Sequence, residues 1–340
     1  MAGGARKGPN PTDQLTDDIL VEILSRVRYK SLLRCSCVSR RWRDLIAHPD
    51  HRGKLPQTLT GFFCFAPNRS FINVSGTGRP FVDPSLACLP DREWEKWKGL
   101  ALLDGCNGLL LCRCHRFADP SEFNYLVINP AAEKWVAVPV SRRWSSTAQT
   151  ARLGFEPAVS SHFHVFEFHL NWDGDGVGDE DARVLGAKIY SSETGLWSYK
   201  ESGWEVGITL DPDSNNSVFV DGTLYVIANE CLIAAVDVEG RTWRIIDFPR
   251  SEDSPFFNTG AGFIDLSQGK LHFANSDYII SDNKLAIWVL EDRNSEEWTL
   301  KHTVSFMHLV RKKPVYIGSD EFYCCRYPPR TQYGILRLWS

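Results

Sequence analysis

The sequence predicts a small all-α N-terminal head followed by a large all-β region built from repeats. The prediction rests on apolar residues at helical spacing before residue 50, and on a strand phrase that recurs about every fifty residues after residue 56. The 340 residues are 43% hydrophobic and 24% charged, a composition typical of globular proteins, and they suffice for a small domain beside a large one. We expect disorder in residues 1–12, the head in 13–54 and the repeat region in 57–340.

The first predicted helix has its apolar residues on one face. These residues are Leu15, Ile19, Leu20, Ile23, Leu24 and Val27. Their spacing is that of an amphipathic helix. We expect the side chain of Thr16 to cap this helix. Asp17 and Asp18 fall in its first turn, where the helix dipole favours negative charge.

Two further helices complete a predicted head of three. The second is predicted to start at Ser31, and the third to end at His48-Pro49. The apolar face of the third consists of Val38, Trp42, Leu45 and Ile46. The stretch "RRWR" (40–43) is interpreted as its solvated and partner-facing side. Three short helices cannot enclose a self-sufficient core, so the head either offers an interface or packs on the repeat region as a cap.

The segment from Leu15 to Ile46 resembles an F-box, the motif by which substrate receptors bind the Skp adaptor of a cullin–RING ubiquitin ligase. The resemblance lies in "LTDDILVEILSRV" and "KSLLRCSCVSRRWRDLI", with Trp42 in the place of the family's near-terminal tryptophan. It implies binding to a Skp-type adaptor and, through the adaptor, to cullin. The residues that it implies for adaptor binding are Leu15, Ile19, Leu20, Ile23, Leu24, Leu32, Leu33, Val38, Trp42 and Leu45.

Two positions depart from the F-box pattern. The family commonly has Leu-Pro at the start and again before the second helix, whereas this sequence has Leu15-Thr16 and Val27-Arg28. Thr16 is a good cap and should cost little, since proline at a helix start only preorganises φ. Arg28 removes a residue that would stiffen the turn. We expect these departures to affect adaptor affinity rather than adaptor binding as such.

After Pro56 the helical pattern gives way to short strands separated by turns. A glycine turn followed by apolar residues recurs as "TGFFCF" (60–65), "NGLLLC" (107–112), "DGTLYV" (221–226) and "QGKLHF" (268–273), and "HFHVFEF" (162–168) and "DEFYC" (320–324) occupy comparable places. Spacings of 47 to 60 residues match a four-stranded blade of a kelch-like β-propeller, here with about six repeats. Asn107-Gly108 and Asp221-Gly222 supply the positive φ that two-residue hairpin turns need.

Tryptophans recur after a strand and a polar turn in most repeats. They are Trp135, Trp197, Trp243 and Trp298. We predict that they pack between blades, because only neighbouring blades can cover the apolar faces of each blade; ligand stacking is the alternative.

The phrases "DGCNGLLLC" and "VINPAAEKWVAVP" resemble the F-box-associated region of the large plant families of F-box proteins, in which a kelch-like propeller follows the motif. The sixth repeat stops at Trp339-Ser340, too soon for four strands. Either "TGFFCF" closes the ring from the N-terminal side, or the propeller is incomplete.

Charge and targeting signals limit the classes of function. Residues 1–54 carry a net charge of +5 and residues 55–340 a net charge of −9, which argues against nucleic-acid binding and fits a head that meets an acidic partner. Neither a secretory signal nor an apolar run long enough for a membrane span occurs, so we expect the cytoplasm and/or nucleus. The ten cysteines include no C-x-x-C pair, which favours free thiols.

Signatures of catalysis and of cofactor binding are absent from the sequence. No H-E-x-x-H, P-loop, G-x-G-x-x-G or G-x-S-x-G pattern occurs. The acidic stretch "DGDGVGDED" (173–181) fails the EF-hand pattern and is interpreted as an exposed hairpin loop. His162, His164 and His169 are predicted in one strand without a further ligand. We expect neither a metal nor a cofactor.

The sequence therefore favours a non-catalytic substrate receptor of a Skp–cullin–F-box ubiquitin ligase, with a propeller that recruits a target protein for degradation. The alternative is a propeller-type small-molecule sensor or enzyme with the head as a structural cap. A receptor that binds the adaptor without productive assembly is a third possibility. Loops commonly hold binding sites, and the candidates are 66–98, 141–160, 171–183, 211–217 and 250–259.

Overall fold

A computed structural model gives the architecture of the chain. It comprises a helical head and five β-sheets. The described residues are 14–27, 29–35, 38–52, 54–55, 61–64, 70–73, 82–89, 97–116, 123–139, 150–171, 183–204, 207–210, 217–228, 232–249, 262–267, 269–277, 284–293, 295–305 and 333–336.

The described part of the head contains four helices rather than the three predicted. They are α1 (Asp17–Ser25), α2 (Tyr29–Cys35), α3 (Arg40–Ala47) and α4 (Pro49–Arg52). As predicted, α3 ends before Pro49. His48, which lies between Ala47 and Pro49, has an extended backbone. The additional α4 is a single turn that starts at the same proline. Proline suits a first helical position, because its missing N–H would have no intrahelical partner there.

The starts of α2 and α3 differ from the prediction. α2 begins at Tyr29, two residues before Ser31. Val38 lies outside α3, because Ser39 is the N-cap and its hydroxyl accepts a hydrogen bond of 3.1 Å from the Trp42 N–H. The first N–H groups of a helix need an acceptor. The polar cap, rather than the apolar spacing, therefore determines where α3 starts.

The head has an apolar core of its own. One buried cluster contains Leu24, Leu32, Ile46 and Leu55, and a second contains Leu20, Val21 and Leu45. Trp42 packs against both. Each apolar cluster of the described residues draws either on residues 15–55 of the head or on residues after 60, and none combines the two. This separation disfavours a head that serves as a cap on the propeller.

Nineteen strands follow within the described residues. They are β1 (Gly61–Cys64), β2 (Ser70–Asn73), β3 (Trp97–Cys106), β4 (Leu109–Arg116), β5 (Phe123–Asn129), β6 (Lys134–Val138), β7 (Ala151–Phe155), β8 (Phe163–Asn171), β9 (Arg183–Ser191), β10 (Leu196–Glu201), β11 (Ser217–Val220), β12 (Thr223–Ala228), β13 (Leu232–Asp237), β14 (Trp243–Asp247), β15 (Phe263–Ser267), β16 (Lys270–Asp277), β17 (Lys284–Leu290), β18 (Trp298–Ser305) and β19 (Tyr333–Leu336). The predicted turns Asn107-Gly108 and Asp221-Gly222 are confirmed, with positive φ at all four residues.

Four of the five sheets are four-stranded antiparallel meanders in chain order. They are called blade 2 (β3 to β6), blade 3 (β7 to β10), blade 4 (β11 to β14) and blade 5 (β15 to β18). Blade 1 has the strand order β19-β1-β2 in its described part. In blade 1, Phe62 is paired with Ile335 and Phe63 with Gly334 in antiparallel register.

The six predicted repeats correspond to five sheets in the described part of the chain. The first phrase supplies β1, and β1 pairs with the C-terminal strand β19. Of the two predicted alternatives, closure from the N-terminal side is therefore the one observed. The first and last segments share one sheet, which leaves fewer unpaired strand edges. The phrase at 320–324 lies outside the described residues.

The first strands of the blades meet in the middle of the ring. The carboxylate of Asp104 on β3 accepts hydrogen bonds of 2.8 Å from the Leu153 N–H on β7 and of 2.8 Å from the Ser217 hydroxyl on β11. β19 contacts β3, and β11 contacts β15. Radial blades with their first strands innermost are the arrangement of a β-propeller.

Each successive pair of blades shares an apolar core, and a recurring tryptophan packs against it. The pairs are Trp135 with blades 1 and 2, Trp197 with blades 2 and 3, Trp243 with blades 3 and 4, and Trp298 with blades 4 and 5. The indole N–H of Trp197 donates to the Pro139 carbonyl at 2.7 Å, and that of Trp298 to the Asp247 carbonyl at 2.9 Å. Both acceptors belong to the preceding blade. The prediction of inter-blade packing is confirmed.

The described cysteines agree with the prediction of free thiols. Those whose side chains are described are Cys35, Cys88, Cys106, Cys112 and Cys114. Burial raises the pKa of the Cys114 thiol to about 12, so this side chain behaves as a small apolar group at neutral pH. Within the described ranges, no helix has the length and apolar character that a membrane crossing requires.

Candidate functional site

The residues predicted to bind the adaptor divide into buried and exposed side chains. Leu20, Leu24, Leu32 and Leu45 are buried and form the core of the head. Ile19, Ile23 and Val38 are 48%, 44% and 65% exposed. Leu15 and Trp42 are half-buried, and the side chain of Leu33 lies outside the described part of the chain. The structure thus separates residues that shape the head from residues that a partner can reach.

Ile19 and Ile23 form an exposed apolar pair, called the α1 surface. They are four positions apart on α1, so they lie one above the other on the same side of the helix. Val38 adds an exposed apolar side chain in the connection before α3. Neighbouring exposed apolar side chains are typical of protein interaction sites. The α1 surface is the candidate docking element of the head.

Arg41 joins the start of α1 to α3. Its guanidinium donates to the Asp17 carboxylate through Nε at 2.9 Å and through Nη2 at 2.6 Å, and Nη2 also donates to the Leu15 carbonyl at 2.6 Å. Both bonds to Asp17 go to the same oxygen, Oδ1, and hydrogen bonds between charged groups are stronger than neutral ones. Sequence analysis missed the contact, because Arg41 and Asp17 are 24 positions apart on different helices and no spacing rule connects them.

The connections between strands lie at two opposite ends of the propeller, because every blade is an antiparallel meander that starts at the same end. The turn end holds the turns at 107–108 and 221–222. The loop end holds the connections that leave β4, β6, β8 and β10. Of the candidate loops, 171–183 starts at the last residue of β8 and ends at the first residue of β9, and 211–217 ends at the first residue of β11; residues 172–182 and 211–216 lie outside the described part of the chain. The candidate 141–160 is in part a strand, since β7 occupies Ala151–Phe155, and 250–259 lies outside the described residues.

A groove of about 840 Å³ lies between blades 4 and 5 at the turn end. Its floor is formed by the buried side chains of Tyr225, Ala235 and Leu290. On its rim, the Arg293 guanidinium forms an ion pair with Asp221 and donates to the Gly269 carbonyl at 3.3 Å. Arg293 therefore links the first turn of blade 4, at Asp221, to the first turn of blade 5, at Gly269. The groove can accept a small polar molecule or a short peptide.

Two protein-family models match the chain. A model described as "F-box domain" matches residues 13–52. A model described as "F-box protein At3g26010-like, beta-propeller" matches residues 65–320, which is more than half of the chain. The chain belongs to this family of F-box proteins. The helical head and the four-stranded blades described above agree with the two matches in position and in class.

Curated relatives of this F-box protein come from Arabidopsis thaliana. "F-box protein At5g07610" is 27% identical over 328 residues, which are 90% of this chain and 74% of the relative. "F-box protein At5g49610" is 24% identical over 85% of this chain and 78% of the relative. "F-box protein At5g03970" is 26% identical over 86% and 69%. The similarity thus spans the F-box and the propeller together.

The start of the F-box depends on Arg41 more than on a cap. Thr16 occupies the N-cap position of α1, but contrary to expectation its side chain makes no capping hydrogen bond. Asp17 lies in the first turn as predicted, where it binds Arg41. The contacts of Arg41 with Leu15 and Asp17 therefore fix the backbone on both sides of Thr16, the position at which the family commonly has proline. The second departure, Arg28, lies outside the described residues.

Asp104 has a strongly shifted pKa but is enclosed. Burial raises the pKa of its carboxyl to about 6, and Arg152 and the hydrogen bonds from Leu153, Ser217 and Gly105 oppose this shift. Asp104 is 3% exposed, and its donors come from three blade-forming strands. This carboxylate joins blades 2, 3 and 4, and it is closed to a substrate.

The histidines considered as metal ligands are not aligned as predicted. His162 lies just before β8 rather than in it, whereas His164 and His169 are within the strand. The described residues contain no group of three or more His, Cys, Asp or Glu side chains placed to hold a metal ion. The acidic stretch 173–181 lies outside the described residues.

Proposed function

We propose that this F-box protein is the substrate-receptor subunit of a Skp–cullin–F-box ubiquitin ligase in the cytoplasm and/or nucleus. F-box domains generally bind the Skp adaptor in such complexes, and F-box proteins are generally non-catalytic adaptors. The observation that carries the proposal is the α1 surface. Ile19 and Ile23 are exposed, and neither belongs to the two buried apolar clusters of the head.

The α1 surface is suited to the centre of a docking interface. Full burial of an exposed isoleucine side chain contributes about 1.5–3 kcal/mol. Because Ile19 and Ile23 are 48% and 44% exposed, the pair together would contribute about that amount to binding. The first 54 residues carry a net charge of +5. An acidic adaptor would therefore be attracted to the head over a distance, which raises the association rate.

The propeller would act by proximity rather than by chemistry. A receptor that holds a target beside an activated ubiquitin raises the effective concentration of target lysines, and it needs no catalytic residue of its own. The loop end is the side on which we place the target, because longer connections give varied side chains a rigid support. Degradation of the bound target would follow from its modification.

A small-molecule sensor is the second candidate, and the groove between blades 4 and 5 favours it. Its volume of about 840 Å³ lies in the range of ligand pockets. The Thr223→Trp change would fill the groove from its partly exposed wall. A small molecule that raises the thermal unfolding midpoint of the wild type but not of Thr223→Trp would support this candidate. Binding of such a molecule in the groove would leave adaptor docking through the α1 surface unaffected.

Affinity capture of the full-length chain with a Skp adaptor and a cullin tests the leading proposal. We expect the wild type to capture both proteins, and the Ile19→Asp, Ile23→Asp variant to lose both. Leu196→Asp is the matched control, because Leu196 is 69% exposed on the outer strand of blade 3. Equal thermal midpoints of all three proteins would show that folding is intact. Equal capture by all three would refute docking through the α1 surface.

A further inference from the structure

A ladder of polar side chains crosses the interface between blades 2 and 3 toward the loop end. The Tyr125 hydroxyl on β5 donates to the Glu167 carboxylate on β8 at 3.0 Å. Lys188 on β9 lies 3.9 Å from the other oxygen of Glu167. Arg113 on β4 is paired in register with Tyr125 and acts on it electrostatically. These four residues are called the Arg113 ladder.

The corresponding level of blade 4 is apolar. Arg113 is the fifth residue after the turn Asn107-Gly108, and Ile227 is the fifth residue after the equivalent turn of blade 4. Arg113 pairs with Tyr125, and Ile227 with Ile233. Ile227 and Ile233 belong to the apolar core between blades 4 and 5. The fold therefore does not need polar residues at this level.

The cation of Arg113 has no counter-charge in the described structure. It is half-buried, and burial lowers its pKa, although a guanidinium remains charged at any physiological pH. Its Nε is enclosed without a hydrogen-bond partner. No ion pair and no hydrogen bond joins Arg113 to a described residue. Arg113 as a residue is partly exposed, and Nε is its only nitrogen that is both enclosed and without a partner, so the terminal nitrogens are the part of the side chain that a ligand can reach.

The ladder carries an excess of positive charge. Glu167 is a single carboxylate, and it already lies beside Lys188 and accepts from Tyr125. Arg113 therefore adds a charge that the ladder does not neutralise, in a region whose overall net charge is −9. A partly desolvated charge without a partner is unfavourable for folding. A bound anion would supply the missing partner.

We propose that Arg113 is a recognition residue that binds the carboxylate of an Asp or Glu side chain in a protein segment docked at the loop end. The inference rests on the proposed function, in which the propeller recruits a target. A guanidinium offers two parallel N–H groups that match the two oxygens of a carboxylate. Tyr125 lies beside Arg113 in register on the neighbouring strand.

The charge count favours a carboxylate over a phosphoryl group. A phosphorylated side chain carries about −1.5 to −2 charges, and its recognition generally uses a cluster of arginines. The Arg113 ladder offers one cation without a partner, because Lys188 is already paired with Glu167. One positive charge balances one carboxylate.

Selection of peptides from a phage-displayed random library tests the inference on the full-length chain without adaptor. Failure here is therefore distinct from failure of F-box docking. The library is selected separately against wild type, Arg113→Met and Arg241→Met. Arg113→Met keeps the length of the side chain and removes the charge. Arg241 is the control, since it is exposed at the turn end and paired with Glu239 at 2.7 Å.

We expect Asp or Glu at one fixed position in peptides selected by wild type and Arg241→Met, and loss of this preference with Arg113→Met. In a synthetic consensus peptide, Glu→Gln should weaken binding to wild type about tenfold or more, as loss of a charge-assisted contact predicts. The thermal midpoint of Arg113→Met should equal or exceed that of wild type, because an unpaired charge is removed.

Three results would overturn the inference. The first is an acidic preference that is absent from wild type or unchanged in Arg113→Met. The second is a lower thermal midpoint of Arg113→Met, which would make Arg113 a structural residue. The third is tighter binding of a consensus peptide with phosphoserine in place of the acidic residue, which would assign the site to phosphoryl groups.

Discussion

The Asp104 carboxylate accepts a 2.8 Å hydrogen bond from the Ser217 hydroxyl, although the two residues are 113 positions apart in sequence. Asp104 lies on the first strand of blade 2 and Ser217 on the first strand of blade 4, so the contact spans the middle of the ring. The same carboxylate accepts from the Leu153 N–H of blade 3. One buried side chain therefore joins three blades.

The contribution of Asp104 to stability should depend on pH. Its folded-state pKa of about 6 lies above its usual value of 3.8, so between these values the folded state binds more protons than the unfolded state. The contribution is full below about pH 4 and is lost as pH rises through 6. Between pH 4.5 and 7.5, Asp104→Asn should gain roughly 2 kcal/mol in unfolding free energy relative to wild type.

Urea unfolding of the wild type and Asp104→Asn at the two pH values measures this change. The other titrating groups are common to both proteins and cancel in the difference. A difference in unfolding free energy that stays constant between pH 4.5 and 7.5 would contradict the raised pKa of Asp104.

The recurring tryptophans should be important for stability. Trp243 packs against the core between blades 3 and 4, and its ring meets that of Trp204 edge to face at 4.7 Å. Trp243→Ala should lower the unfolding free energy by about 3 kcal/mol. Leu196→Ala, at an exposed position, should change it by less than about 0.5 kcal/mol. Equal losses in chemical denaturation would argue against inter-blade packing of Trp243.

Closure of the ring should depend on the C-terminal strand. β19 pairs with β1 in blade 1, and the Phe63 side chain of β1 is fully buried in the core between blades 1 and 2. Removal of residues 333–340 would leave an edge of β1 unpaired and should lower the thermal midpoint by several degrees. Removal of residues 1–12, predicted to be disordered, is the control and should leave the midpoint unchanged. Equal midpoints of the two truncated chains would exclude closure by β19.

Arg41 should position the start of the F-box. The side chains of Arg41 and Asp17 are 37% and 59% exposed, so their ion pair contributes at most about 1 kcal/mol to stability. The hydrogen bond from Arg41 to the Leu15 carbonyl adds to this contribution. Arg41→Ala should therefore weaken adaptor binding severalfold. Arg241→Ala is the control, because Arg241 forms an exposed ion pair with Glu239 in the propeller, outside the head. The Asp17→Arg, Arg41→Asp exchange should recover part of the loss, and no recovery would indicate that Arg41 contacts the adaptor itself.

The sequence predicted features that depend on local geometry. Asn107 and Asp221 adopt positive φ, as a type I′ two-residue hairpin turn requires at both central residues. The tryptophan series is inter-blade because each repeat buries the same face against its neighbour. Contacts between distant segments were beyond this reasoning. β19 is short and pairs with a strand about 270 positions earlier in the chain, and Arg41 contacts Asp17 from a different helix.

The adaptor-binding residues show where sequence patterns lose resolution. Helical spacing places Ile19, Leu20, Ile23 and Leu24 on one apolar stripe. The spacing of such a stripe is the same whether the residues at its edge are buried or exposed, so the sequence cannot separate them. The packing of α3 decides the matter: Leu20 and Leu24 are covered, whereas Ile19 and Ile23 are not. Val38 likewise lies outside α3, contrary to its apolar spacing, because Ser39 caps the helix after it.

The central claim is that the α1 surface docks the Skp adaptor, and the dissociation constant of the purified pair tests it most directly. The measurement compares wild type, Ile23→Asp and the control Leu196→Asp by titration calorimetry. We predict binding by wild type and Leu196→Asp with the same constant, and affinity about a hundredfold lower for Ile23→Asp, since a charge would be buried in an apolar contact. Unchanged affinity of Ile23→Asp, or no binding by folded wild type, would contradict the account.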